Sequence, residues 1–157
     1  MTIAPGSKLP APPATLWEGG PEKQVTFPSS GKFIIIGVPG AFTPPCSSQV
    51  PGYIANYPQF AAKGVKDIYV IAVNDVFVTK AWKESLGKDS PVHFCADSTG
   101  EFVKSLGLEF DASGLLGNIR SKRFAAIVED GVVKKVFVED EPPNITVTAA
   151  EKVLEEL

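Results

Sequence analysis

Two runs, Phe33-Ile-Ile-Ile-Gly-Val38 and Ile68-Tyr-Val-Ile-Ala-Val73, are almost continuously apolar and rich in β-branched residues. A strand with one wet face alternates apolar and polar side chains. These two do not, so each must be covered on both faces. Sheets of that kind join parallel strands through crossover helices. Ser47 to Ala62 reads as one such helix, with Pro51 predicting a kink or a fresh start and Gly64 a stop.

The rest of the chain extends this frame. Val78, Trp82 and Leu86 recur at helical spacing after Asn74-Asp75, and Gly87 follows as a stop. Val92-His-Phe-Cys-Ala96 is a third short strand. Ser98-Thr-Gly-Glu101 and Thr148-Ala-Ala-Glu151 both have the spacing of a capping box, opening a helix through Leu106 and a last helix with Val153, Leu154 and Leu157 on its apolar face. Glu129-Asp-Gly131 between Phe124–Val128 and Val132–Val138 predicts a hairpin. The proline-rich lead-in, Pro5 to Pro28, reads as loop with one or two short edge strands, at Thr15–Trp17 and Gln24–Phe27. The expected fold is α/β: one domain over residues 1–157, a mixed central sheet with helices on both faces, and a C-terminal β-hairpin followed by a helix. A thioredoxin-like fold satisfies that order.

At 157 residues the chain is long enough to bury a sizeable core, and 44% hydrophobic with 21% charged residues is ordinary for a globular protein. A net charge of −3 with no basic stripe argues against nucleic acid, and no apolar run is long enough to span a membrane. The first residues lack the apolar core of a signal peptide, and the last three, Glu-Glu-Leu, are not a Ser-Lys-Leu peroxisomal address. A cytoplasmic location is expected, with a peroxisomal or other organellar one still compatible. Two cysteines, Cys46 and Cys95, are too few for a disulfide scaffold and form no Cys-x-x-Cys pair. With His93 they make no ligand spacing, so neither a metal nor a cofactor is expected.

Cys46 follows the first apolar run through Pro39-Gly-Ala-Phe-Thr43-Pro-Pro and opens the helix behind it. The first turn of a helix has free N–H groups and a partial positive charge, and both favour thiolate, the reactive form of cysteine. A small thiol packed as a hydrophobe fits the pattern equally well. The strand–loop–helix junction favours function, because α/β sheets place their sites there.

Pro39-x-x-x-Thr43-x-x-Cys46 matches the active-site motif of the peroxiredoxins, and Gly37-Val-Pro-Gly-Ala-Phe-Thr-Pro44 resembles the type II, or peroxiredoxin-5-like, subfamily over nearly the full chain. The resemblance implies a thiol peroxidase for hydrogen peroxide and alkyl hydroperoxides. Cys46 would be the peroxidatic nucleophile, passing through a sulfenic acid. Arg123, in Lys122-Arg-Phe124, matches the family's active-site arginine and would stabilise the thiolate and the peroxide oxygens. Thr43 would orient the peroxide, by bonding the sulfur or a substrate oxygen, and Pro39 would shield the thiolate from water.

The chain departs from family habit in three places. Ala72 replaces a common serine before Val-Asn-Asp. Val50 stands four residues after Cys46, where a histidine is common, and Pro51 stands at five rather than six. No cysteine follows Cys95, and none lies in Ile68–Val73, so neither usual resolving position is filled. Cys95 is the internal candidate, but alternation puts it with His93 on one face of a covered strand, where a core role is expected. A resolving role would need Cα atoms within about 7 Å, or local unfolding. The reading is therefore a one-cysteine mechanism, with glutathione and glutaredoxin, or thioredoxin, as external reductant. The alternative is a redox sensor or chaperone-type binding protein using the same thiol. Type II relatives commonly form homodimers through the active-site end. Phe42 and Phe77, if exposed on loops, would support one.

Overall fold

The computed structural model describes residues 2–157. In chain order its elements are β1 (Leu16–Glu18), β2 (Lys32–Val38), α1 (Pro44–Ala55), α2 (Tyr57–Ala62), β3 (Val65–Ala72), α3 (Val76–Gly87) and β4 (His93–Asp97). There follow α4 (Glu101–Leu106), β5 (Glu109–Asp111), α5 (Ser113–Leu116), β6 (Ile119–Ser121), β7 (Phe124–Glu129), β8 (Val132–Val138) and α6 (Ala150–Glu155).

The two apolar runs become β2 and β3, the central parallel pair of a six-stranded sheet ordered β1-β4-β3-β2-β7-β8. β4 is parallel to β3, while β1, β7 and β8 pair antiparallel with their neighbours. Alternation sends Ile34, Ile36 and Val38 to one face, where Tyr53, Phe60, Trp82 and Val153 of α1, α2, α3 and α6 cover them. Phe33 and Ile35 point to the other, against Phe102, Val103 and Leu106 of α4 and Leu16 of β1. Both faces are therefore dry, as the sequence of these strands requires. Burying each isoleucine contributes roughly 1.5–3 kcal/mol. The β7–β8 hairpin turns on Asp130 (φ 52°) and Gly131 (φ 79°), the left-handed pair that a two-residue turn needs.

Four local expectations are corrected. Helix α1 runs through Pro51 and ends at Ala55. The break falls at Asn56, whose side chain donates to the Gly52 carbonyl (2.8 Å), and α2 restarts with Pro58 in its first turn, where proline is tolerated. Gly87 is the last residue of α3, and Lys88 is its C-cap. The Ser98 capping box does not form. The Asp97 carboxylate accepts from the N–H groups of Phe102 (3.1 Å) and Val103 (2.9 Å) and caps α4 from one residue earlier. The Thr148 box does not form either, because the Thr148 hydroxyl donates to Glu139 (2.7 Å). The lead-in, read as holding one or two short edge strands, forms one, β1. Gln24 makes a single bridge to Trp17. The two-stranded β5–β6 arm, which carries Arg120, had no signal in the sequence.

Candidate active site

The register between β2 and β7 brings distant residues together. Phe124 pairs with Gly37, so Arg123, just before β7, sits at the carboxyl end of β2, where the Pro39–Thr43 loop begins. At the hairpin's far end Val138 pairs with Phe124, and the Glu139 N–H donates to the Arg123 carbonyl (3.0 Å). Gly37 has to be glycine: a Cβ there would overlap the Phe124 ring and Ser121 Oγ.

The loop itself is tightly held. The Ala41 N–H donates to Asn74 Oδ1 (2.9 Å), tying it to the end of β3. Phe42 takes φ 66° in a turn from Gly40 to Thr43, a left-handed conformation that costs a non-glycine residue about 1 kcal/mol or more. Thr43 is the N-cap of α1. Pro44 and Pro45 supply no N–H, so Cys46 carries the first backbone donor of the helix.

Cys46 and Arg123 are both buried, at 0% and 1% exposure. Arg123 Nη2 donates to Cys46 Sγ at 3.2 Å. Its Nη1 donates to Gln49 Oε1 (2.5 Å) and its Nε to the Pro142 carbonyl (2.8 Å). Gln49 lies one helical turn after Cys46, and its Nε2 donates to the Thr148 carbonyl (3.2 Å). Tyr53 Oη donates to that same carbonyl. Thr43 does not bond the sulfur: its hydroxyl donates to the Gly40 carbonyl (2.8 Å). A cavity of about 620 Å³, walled by Pro39, Pro44, Phe110, Leu115 and Leu116, reaches Thr43 and Arg123. Arg120 joins two of its walls, donating to the Pro39 carbonyl (3.1 Å) and the Leu116 carbonyl (3.3 Å). Gly40 leaves room for it, since a Cβ there would lie 2.8 Å from Arg120 Nη1. Burial lowers the Arg120 guanidinium below its ordinary value, and the Cys46 side chain opposes that shift.

The structure thus brings Cys46, Arg123, Thr43 and Pro39 to one place. Cys95 lies elsewhere. It is packed with Ile35, Ile71 and Leu16 on the opposite face of the sheet from Cys46, and both cysteines are free. Burial, followed by the Glu18 charge, pushes the Cys95 thiol well up. His93 is a satisfied residue at the start of β4, bonded to Glu18 (2.8 Å) and Asp67 (3.1 Å) and stacked on Tyr69. Phe42 (51% exposed) is on the active loop, whereas Phe77 (67%) is in the first turn of α3 rather than on a loop. Among the described residues no group of three or more His, Cys, Asp and Glu side chains is placed to hold a metal ion, and no helix is long and apolar enough to cross a membrane. Sequence reasoning missed Gln49, Arg120 and Glu139. Only Gln49 had a signal, as a polar residue on the same helical face as Cys46, Val50 and Tyr53.

The chain matches the Redoxin family model over residues 4–154. It is 64% identical over 157 residues, covering 99% of each chain, to the protein of Schizosaccharomyces pombe called Peroxisomal membrane associated protein 20. Among solved structures it is similar to reduced Prx3 from Vibrio vulnificus in complex with H2O2 (40% identity, TM-score 0.87, 99% of each chain). Peroxiredoxin 5 from Alvinella pompejana matches at 32% identity and TM-score 0.83, covering 98% of this chain and 96% of that one.

Proposed function

Because the chain belongs to the Redoxin family, as a type II peroxiredoxin of thioredoxin-like fold and hence a thiol peroxidase, we propose that Cys46 is the sulfur that attacks the hydroperoxide and Arg123 the group that stabilises the attack. One observation carries this reading: a buried guanidinium donates to a buried cysteine sulfur at 3.2 Å, 77 residues away in sequence.

The proposed step follows from the geometry. The sulfur reacts as the thiolate, with the Arg123 guanidinium donating to it at 3.2 Å. The hydroperoxide enters between Pro39 and Thr43. The Thr43 hydroxyl proton is committed to Gly40, so its oxygen accepts the hydroperoxide O–H. The thiolate attacks the terminal oxygen. An S–O bond forms, the O–O bond breaks, and the leaving oxygen takes a proton and departs as alcohol or water. Sulfur has lost two electrons and is a sulfenic acid. Arg123 Nη2 faces the charge that develops on both oxygens. Pro39 and the apolar walls limit water at the thiolate.

A thiol must then return those electrons. Cys95 lies in the core on the other face, so the reading favours a one-cysteine cycle. One external thiol condenses with the sulfenic acid and releases water, and a second exchanges out the mixed disulfide. Glutathione with glutaredoxin, or thioredoxin, would supply them. The exposed Phe42 on the active loop supports a homodimer through this end of the fold, readable as mass by sedimentation equilibrium. The name of the S. pombe relative supports association with a peroxisomal membrane surface as the alternative to the cytoplasm, and imaging of the tagged chain decides between them.

The test is peroxide consumption with each thiol system, followed by mass spectrometry after one equivalent of peroxide and then glutathione. The reading requires turnover that Cys46→Ser abolishes and a glutathione adduct on Cys46. Turnover unchanged in Cys46→Ser contradicts it. Slow turnover with every reductant would instead favour a sensor or binding role.

A further inference from the structure

Arg123 is buried, and every acceptor of its guanidinium lies in another part of the chain. The acceptor for Nε is Pro142, and the acceptor for Nη1 is Gln49, itself anchored to Thr148. Pro142 and Thr148 both belong to the segment between β8 and α6, residues 139–149, which strides across the site without forming a strand or helix. Its Pro142-Pro143 pair could not join a backbone ladder, so something else must fix its path.

Glu139 does so. It is 7% exposed, and its carboxylate accepts from the Thr146 N–H (2.7 Å), the Thr146 hydroxyl (2.6 Å), the Thr148 N–H (2.9 Å) and the Thr148 hydroxyl (2.7 Å). These four bonds close the segment into a strap whose base is pinned by the bond from the Glu139 N–H to the Arg123 carbonyl. Burial raises the Glu139 carboxyl, but the bonds from Thr146 and Thr148 outweigh it and hold the group below its ordinary value. A carboxylate is costly to bury, and here it has neutral donors only, with no lysine or arginine at ion-pair distance among the described residues.

We propose that Glu139 is a positioning residue for the peroxide reaction, acting through the strap to aim the Arg123 guanidinium at Cys46. Removing its acceptor frees Thr148 and Pro142 together, and with them both bonds that fix the guanidinium plane. Arg123 stays in the chain but loses its direction.

This inference rests on the reading of Cys46 and Arg123 above, so its test separates the two. The measurement is the second-order rate of oxidation of the reduced protein by hydrogen peroxide, well below the melting temperature, for Glu139→Gln in the native and Arg123→Lys backgrounds. Glutamine keeps the shape but turns an amide donor towards the threonine donors. Glu139→Gln should slow oxidation about 10- to 100-fold in the native background. In the Arg123→Lys background, where the aimed group is gone, it should cost less than about twofold more. Thr148→Ser, which keeps both donors, should retain the native rate, and Thr148→Val should lose part of it. If Glu139→Gln does not fold, Thr148→Val in the two backgrounds makes the same comparison. Equal slowing in both backgrounds, or a native rate in a variant that merely melts earlier, overturns the proposal. A native rate in Arg123→Lys alone overturns the earlier reading instead.

Discussion

A guanidinium withdrawn from water needs acceptors for its donors and a counter-charge, or it costs several kcal/mol. Arg123 has acceptors in Pro142, Gln49 and Cys46, but among the described residues no carboxylate lies at ion-pair distance from it. The third of these acceptors is the sulfur that the proposed reaction uses, so the bond that satisfies the buried arginine also aims it at Cys46. Cys95 has the opposite surroundings, apolar residues and a nearby Glu18 charge that favour the neutral thiol. Cys95→Ala should therefore leave peroxide turnover with an external thiol within about twofold of native, while costing some stability through the altered core. Turnover lost in a folded Cys95→Ala protein would show that the second cysteine takes part.

Two elements carry separable consequences. The β5–β6 arm is fastened to the active loop by Arg120, which bonds Pro39 on one wall of the cavity and Leu116 on the other. Arg120→Gln should raise KM several-fold for a bulky hydroperoxide such as cumene hydroperoxide and change that for hydrogen peroxide less. A uniform loss across substrates would mean that Arg120 supports the loop without shaping the cavity. On the β1–β4–β3 side, His93 bridges Glu18 and Asp67. Its hydrogen bond to Glu18 raises its pKa, partial burial opposes this, and Asp67 adds to the rise. The folded value lies above the ordinary one of about 6.5, so the cluster's stabilisation is complete below that pH and fades as pH climbs through the raised value. The melting temperature of native protein should therefore fall relative to His93→Gln between about pH 6 and 9. A constant difference across that range would contradict the linkage.

For the molecule as a whole, what could be read from sequence was whatever one segment determines by itself. The apolar runs of β2 and β3, the Asp130-Gly131 hairpin and the Cys46 loop each carry local signals, and each forms where expected. Caps were misjudged because a neighbouring side chain competed: Asp97 displaced Ser98, and Glu139 captured Thr148. Arg123 was legible only through family resemblance, since nothing in Lys122-Arg-Phe124 reveals that the β2–β7 register will bury it beside Cys46. Glu139 and the β5–β6 arm were not legible, because their partners are assembled by the hairpin and the strap only once the chain has folded. The central claim, that this register creates a cysteine–arginine centre for reducing peroxide, is tested most directly by stopped-flow oxidation of reduced Arg123→Lys protein. The account predicts oxidation about 100- to 1,000-fold slower than native, in a protein of unchanged fold, with the sulfenic acid still on Cys46. Oxidation at the native rate, or a sulfenic acid found on Cys95, would contradict it.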